Sequence, residues 1–382
     1  MQKKANTQGQ KEARKWLFYA LSSSVSVLLM LAILEVTLRL LWPQIFLPHP
    51  QGMYSRDDDI GYVLTPDFDG EFRGAEFRVS VRTNNTGLRG IDLRPLAKNS
   101  VRILCLGDSF TWGWGVNDNE TYPAELEKLL QIRYPRLDVQ VLNAGVSGYG
   151  TDEELEFLKK RGADLKPDIV ISQFFSGNDF DDNRHAASRS TEIRDGMLFQ
   201  IHQTVSQQQP AWLKTVNWLK QRSHLAHMVS NRIGYLAMGL GLLDELERPL
   251  SKYFTEEDGR RATDHLIEIS KVAHNLGARM LFVFVPEKIQ VLSRPQDPLR
   301  AAALVQEAAM IADVPSIDLT PELVKTENLD KLYFVQDAHW TSKGHKWMAQ
   351  ILSEGIGDLS LVHTENEKWP LATRSGHQTT DP

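Results

Sequence analysis

A chain of 382 residues, 42% hydrophobic and 24% charged, is long enough to bury a full core and too apolar to be disordered throughout. Its net charge of −6 provides no broad basic field, which argues against nucleic acid as the main partner. The single cysteine, Cys105, excludes an intrachain disulfide framework and sits in a run that reads as a buried strand, where a thiol is inert.

Residues 1–15 carry Lys3, Lys4, Lys11, Arg14 and Lys15, and residues 16–34 carry no charge, with apolar character continuing to 42. That run predicts a membrane-spanning anchor over 16–42. The preceding basic cluster predicts a cytoplasmic N-terminus and a catalytic domain on the outer face, periplasmic in a Gram-negative cell. A cleaved signal peptide is the competing reading, but no clear small-x-small site follows the run. Glu35 and Arg39, four apart near its outer end, can pair on one helix face. Residues 43–98 read as a linker followed by a small antiparallel β element, with short alternating segments at 61–64, 71–73 and 76–82 and turn chemistry at 84–87.

From 99 to about 360 the pattern alternates strand and helix. Strands are predicted over 101–106, 137–142, 168–174, 278–285 and 315–319. Helices are predicted over 120–134, 151–161 with Thr151 as N-cap, 256–276, 298–312 and 342–354. This is the signature of an α/β fold with a five-stranded, doubly wound parallel sheet. An insertion over 180–253 carries amphipathic stretches with Trp212, Trp218, Leu219, Leu225 and Met228, able to cap a cleft, rest on a bilayer or pack on the core. The polar stretch 361–382 reads as a flexible tail.

In a parallel sheet the carboxyl ends of successive strands share one edge. Gly107-Asp108-Ser109 follows the first strand, Gly145 the second and Asn178 the third, so the three are expected to converge there. Near the end, Asp337 stands two residues before His339, followed by Trp340. A serine hydroxyl is a weak nucleophile that needs a base, and a histidine's near-neutral pKa suits that task. Ser109 is therefore the candidate nucleophile, His339 the base and Asp337 the group that fixes its tautomer. The Ser109 and Gly145 backbone N–H groups and the Asn178 amide are the candidate oxyanion donors. Trp112, Trp114 and Trp340 are candidate substrate-binding residues. His224 and His227 lack a third ligand nearby and the glycines after Ser109 lack a Walker pattern, so neither a metal nor another cofactor is expected.

These blocks resemble the SGNH (GDSL-type) hydrolases, whose Ser, Gly, Asn and His occur in the order seen here between 102 and 345. The Asp-x-His spacing of Asp337 and His339 is similar to that of alginate O-acetyltransferases rather than to the more usual Asp-x-x-His. The resemblance implies a flavodoxin-like fold and acyl-ester chemistry through an acyl-enzyme, with an acyl-ester or glycan substrate. Three readings stand at this level: a serine esterase acting on acyl, expectedly acetyl, esters; an O-acyltransferase modifying a cell-envelope polysaccharide; and a catalytically silent glycan-binding or assembly protein. With one predicted span, a transferase would need a separate membrane-bound protein to deliver the acyl group.

Overall fold

The computed structural model describes residues 2–42, 50–74, 76–184, 191–194, 196–200, 211–220, 222–239, 254–292, 299–335 and 337–358. The chain divides into two compact units, Met1–Leu47 with Thr204–Glu247, and Pro48–Gln203 with Arg248–Pro382. The tail read over 361–382 and the 240–253 part of the insertion lie outside the described residues.

The elements begin with α1 (Gln2–Leu41), followed by β1 (Tyr54–Asp57), β2 (Gly61–Leu64), β3 (Asp69–Arg73) and β4 (Arg78–Arg82). Next come β5 (Ser100–Leu106), α2 (Ser109–Trp112), α3 (Tyr122–Arg133), β6 (Asp138–Asn143), α4 (Thr151–Leu165), β7 (Ile169–Phe175) and α5 (Asp179–Arg184). The insertion holds β8 (Thr191–Arg194), β9 (Met197–Gln200), α6 (Ala211–Lys220) and α7 (His224–Gly239). The chain closes with α8 (Glu256–Asn275), β10 (Arg279–Val285), α9 (Lys288–Leu292), α10 (Arg300–Ala312), β11 (Ser316–Asp318), α11 (Thr320–Lys325), α12 (Leu329–Leu332) and α13 (Ser342–Asp358).

In the second unit, five strands form one parallel sheet in the order β11-β10-β7-β5-β6. The strands read as nearly continuous apolar runs because helices cover both faces. Alternate residues of β5 face opposite cores. Leu104 and Leu106 pack with Leu158 of α4, Leu266 of α8 and Val305 of α10, whereas Ile103 and Cys105 pack with Leu126 of α3 and Leu352 of α13. Burial pushes the Cys105 thiol up to about 12, in keeping with an inert core position.

Short polar signals set the helix starts. Thr255 and Asp258 bond each other's backbone N–H at the head of α8, at 3.2 and 2.8 Å. At α4 the sequence reading is corrected: Gly150 is the cap, and its N–H donates to Glu153 Oε2 at 2.9 Å. Thr151 is the first helical residue, and its hydroxyl instead meets Asn183 Oδ1 and His265 Nδ1, both at 3.1 Å.

The short strands expected before the sheet occur as two antiparallel pairs, β1–β2 and β3–β4. A further pair, β8–β9, lies in the insertion, whose amphipathic stretches give no sign of strands in sequence. The Tyr54 N–H donates to Gly196 O in its turn at 3.1 Å, so this pair continues the β1–β2 layer.

The first unit contains α1, α6 and α7. Helix α1 is apolar over Arg14–Leu41, with mean hydropathy 2.2 in its most apolar window and that window exposed throughout, long enough to cross a membrane by length and composition. Glu35 and Arg39 pair at 2.7 Å, as their spacing predicts.

Candidate active site

The sheet order places β5 between β6 and β7, at the point where the strand order reverses and ligands of open α/β sheets bind. Ser109, Gly145 and Asn178 follow the carboxyl ends of these three strands. Ser109 opens α2, whose N-cap is Asp108, with Oδ1 accepting from the Phe110 N–H at 2.9 Å. Gly107 takes φ +154°, and a Cβ there would lie 2.1 Å from Thr111 Oγ1, so the tight turn before Ser109 requires glycine.

Ser109 Oγ lies 2.7 Å from His339 Nε2, and His339 Nδ1 lies 2.5 Å from Asp337 Oδ1. The loop that brings them together is folded on Asp337, whose Oδ1 also accepts from the His339 backbone N–H at 3.0 Å. Burial pushes the Asp337 carboxyl up, but its bonds to His339 and Trp114 outweigh this and hold it below the usual carboxylate range. An ionised Asp337 accepts only, so the imidazole proton sits on Nδ1 and the Nε2 lone pair faces the serine hydroxyl.

Two expected oxyanion donors have other partners in this structure. The Gly145 N–H donates to Asn143 Oδ1 at 3.0 Å, and Asn178 Nδ2 donates to Asp182 Oδ2 at 2.7 Å. Gly145 does serve close packing, since a Cβ there would lie 2.2 Å from Trp112 N and 2.6 Å from Thr111 C, displacing the turn that carries Ser109. The Ser109 N–H belongs to the first turn of α2, where no intrahelical acceptor exists.

The tryptophans separate. Trp112 and Trp340 are fully buried, which removes them as substrate contacts. Trp112 packs in the core under the Arg89 guanidinium, 4.6 Å from its ring, and Trp340 packs edge-on to Phe110 at 4.9 Å. Trp114 is half-buried and stacks on the His339 ring at 5.0 Å and 18°, while its Nε1–H donates to Asp337 Oδ2 at 3.0 Å. Phe110 packs against the same imidazole at 5.0 Å. The β3–β4 pair backs this arrangement, with Phe72 edge-on to Trp114 at 4.8 Å and Phe77 near Phe334 at 5.6 Å.

Sequence reasoning missed several neighbours. Arg89 is buried and donates to Trp112 O, Gly113 O and Val116 O, and its Nε meets Asp118 Oδ1 at 2.9 Å, so it clamps the chain leaving α2. Asp108, Glu154, Asp179 and Asp182 form a buried carboxylate group near the serine. Burial raises Asp108 above its ordinary range, with the Phe110 N–H opposing; burial and like charges raise Glu154, Asp179 and Asp182 further. The acidic run at 179–182 gives no sign in sequence that Asp179 is folded under a sheet edge. His345 is fully buried, its Nδ1 accepts from the Tyr122 N–H at 3.2 Å, and burial lowers it to about 3.

Residues 105–347 match the family model described as GDSL-like Lipase/Acylhydrolase. Among solved structures, the chain is similar to a two-domain esterase active on acetylated mannans, at 14% identity and TM-score 0.42 over 71% of this chain and 53% of that one. It thus spans about half the length of that enzyme. It is also similar to a lipase/acylhydrolase from Enterococcus faecalis, at 16% identity and TM-score 0.38 over 68% of this chain and 96% of that one. A third is Axe2, an acetylxylan esterase from Geobacillus stearothermophilus, at 18% identity and TM-score 0.38 over 68% of this chain and 97% of that one. No curated protein matches the sequence.

Proposed function

Because the chain belongs to the GDSL-like lipase/acylhydrolase family and is an ester-hydrolysing enzyme, we propose that it is a serine esterase that cleaves short acyl esters, with acetyl the expected group, through an acyl-enzyme on Ser109. The observation that carries this reading is the continuous chain from Ser109 Oγ through His339 to Asp337, at 2.7 and 2.5 Å. Ser109 Oγ attacks the ester carbonyl carbon as its proton passes to His339 Nε2. The same proton then goes to the departing alkoxide oxygen, leaving the acyl group on Ser109. Water then attacks the acyl carbon as its proton passes to Nε2, and that proton returns to the departing Ser109 Oγ as the carboxylic acid is released. Asp337 stabilises the imidazolium formed in each half without taking the proton. The Ser109 N–H is the first oxyanion donor; Gly145 and Asn178 join it by exchanging Asn143 and Asp182 for the developing charge.

The basic residues in the first part of α1, ahead of its charge-free run, support a single-pass anchor with a cytoplasmic N-terminus and the α/β unit outside. A reporter fused to the C-terminus should be active only outside the cytoplasm, and a cytoplasmic signal would overturn that orientation. For the chemistry, the full-length protein is treated with a fluorophosphonate and assayed on an aryl acetate. We expect one adduct, on Ser109, and parallel loss of acetate release; an adduct elsewhere, or turnover that survives complete labelling, would overturn the assignment. Acetyl appearing on an added glycan in place of free acetate would redirect the second half-reaction from water to transfer.

A further inference from the structure

Helix α1 carries a carboxylate at its outer end that is fully engaged by the insertion. Glu35 Oε2 accepts from the Ser223 hydroxyl at 2.8 Å and from the Leu225 N–H at 2.9 Å, while Oε1 accepts from the His224 N–H at 3.1 Å. Arg39 adds its Nε to Glu35 Oε1 at 2.7 Å and its Nη2 to Arg222 O at 2.9 Å. The first N–H groups of α7 have no intrahelical acceptors, and a negative charge is favoured there. Glu35 is thus the cap of α7, supplied from another helix, and Ser223 Oγ takes the next N–H, that of Ala226, at 3.0 Å.

The height of this junction follows from the sequence of α1. The charge-free run 16–34 rises about 28 Å at about 1.5 Å per residue, close to the thickness of a bilayer's hydrocarbon core. Glu35 is the first charge beyond it and so stands at the outer boundary of that core, where carboxylates and interfacial aromatics are tolerated. The corner between α6 and α7, bound to Glu35, stands at the same level. Around that corner Val216, Trp218 and Leu219 on α6 and Val229 and Ile233 on α7 are exposed, the last two one helical turn apart on a single face. The Arg222 guanidinium lies over the Trp218 ring at 5.0 Å.

We propose that α6 and α7 form an interfacial element held on the membrane helix by Glu35, with Val216, Trp218, Leu219, Val229 and Ile233 seated in the outer leaflet of the phospholipid bilayer that α1 spans. The occupant is lipid because the corner that carries these exposed apolar residues is bound to Glu35, at the outer end of the charge-free run of α1. Helix α1 is then part of the folded mature protein, since its removal would uncap α7. The inference rests on the single-pass reading of α1 and is independent of the esterase chemistry.

The test uses full-length protein in phosphatidylcholine–phosphatidylglycerol vesicles. Trp218→Cys and Ile233→Cys are each labelled with NBD, with unsubstituted protein as labelling control. We expect both probes to be quenched by lipid spin-labelled near the headgroup and shielded from aqueous iodide. Glu35→Ala should abolish that shielding and open trypsin cleavage after Lys220 and Arg222, with Glu35→Gln intermediate because one acceptor oxygen remains. Iodide-accessible probes in protein that resists an alkaline wash would overturn the interfacial element and leave the anchor standing. Release by the wash would overturn the anchor and this inference together. Shielding that persists in detergent, or that depends on protein concentration, would assign the surface to the α/β unit or to a second copy and equally overturn it.

Discussion

Two groups of carboxylates stand close to Ser109 and behave oppositely. On the loop before α13, each oxygen of Asp337 has a donor, Oδ1 from His339 and Oδ2 from Trp114, and the group stays charged. Behind the nucleophile, Asp179 takes one N–H, from Phe175 at 2.8 Å, its other oxygen has no partner among the described residues, and its neighbours Asp108, Glu154 and Asp182 are acids. Proximity to a reactive serine therefore does not define a working carboxylate. The difference lies in whether positive or hydrogen-bonding groups answer the charge. Asp337 fixes the His339 ring on the loop, and Asp108 of the buried group caps the turn that carries Ser109.

The largest expected effect tests whether the loop and the nucleophile form one device. Ser109→Ala and His339→Ala should each lower kcat/KM on an aryl acetate by about a thousandfold or more, and the double variant should cost little beyond either. Losses that multiply would separate the two residues.

A smaller effect is expected from the orienting group. Asp337→Ala should lose about a hundredfold, because the imidazole still samples the productive tautomer, and should rank below both Ser109→Ala and His339→Ala. Steady-state kinetics at neutral pH gives the ranking; equal losses for all three would make Asp337 more than an orienting group.

Trp114→Phe sharpens the contrast further by keeping a ring on His339 while removing the indole N–H from Asp337. A lost hydrogen bond to a charged group predicts a fall in kcat of about tenfold, with KM little changed. The bond to Trp114 lowers the Asp337 pKa, so its loss raises that pKa and moves the acid limb of the kcat/KM profile to higher pH. A variant that loses activity with an unmoved acid limb would reduce Trp114 to a packing role.

Much of the sheet's carboxyl edge was legible in the sequence, because a strand of continuous apolar residues followed by a small turn reports both the sheet and its carboxyl end. The five strands fall within a residue or two of their expected bounds, and Ser109, His339 and Asp337 meet although 230 residues separate the serine from the histidine. The tryptophans were not legible. Trp112 ends the single turn of α2 and faces the core, whereas Trp114, two residues on, follows the left-handed Gly113 at φ +95° and turns to the loop. That divergence depends on Arg89 gripping the carbonyls of 112, 113 and 116, a contact no local pattern reports. Acidic residues after a strand have the pattern of a solvated cap, and only the α4–α5 packing around Asn183 shows that Asp179 is buried.

The smallest expected effect is on stability, and its sign differs between the two groups. Asp337 is held below its ordinary value, so its contribution is present above the unfolded carboxylate pKa of about 3.9 and is lost as the pH falls through the native value. Asp179 is raised, so the unfolded chain ionises first, and stability falls as the pH climbs from about 3.9 through the native value. Asp179→Asn retains an oxygen for the Phe175 N–H and removes the need to keep a proton. Its melting temperature should exceed that of the parent at neutral pH, with the gap closing towards pH about 4. Asp337→Asn should melt below the parent at neutral pH, again with a gap that closes in acid. Thermal unfolding of the full-length protein across this range gives both curves. Shifts of the same sign in the two variants would mean that the carboxylates share one environment, and the contrast between loop and pocket would fall.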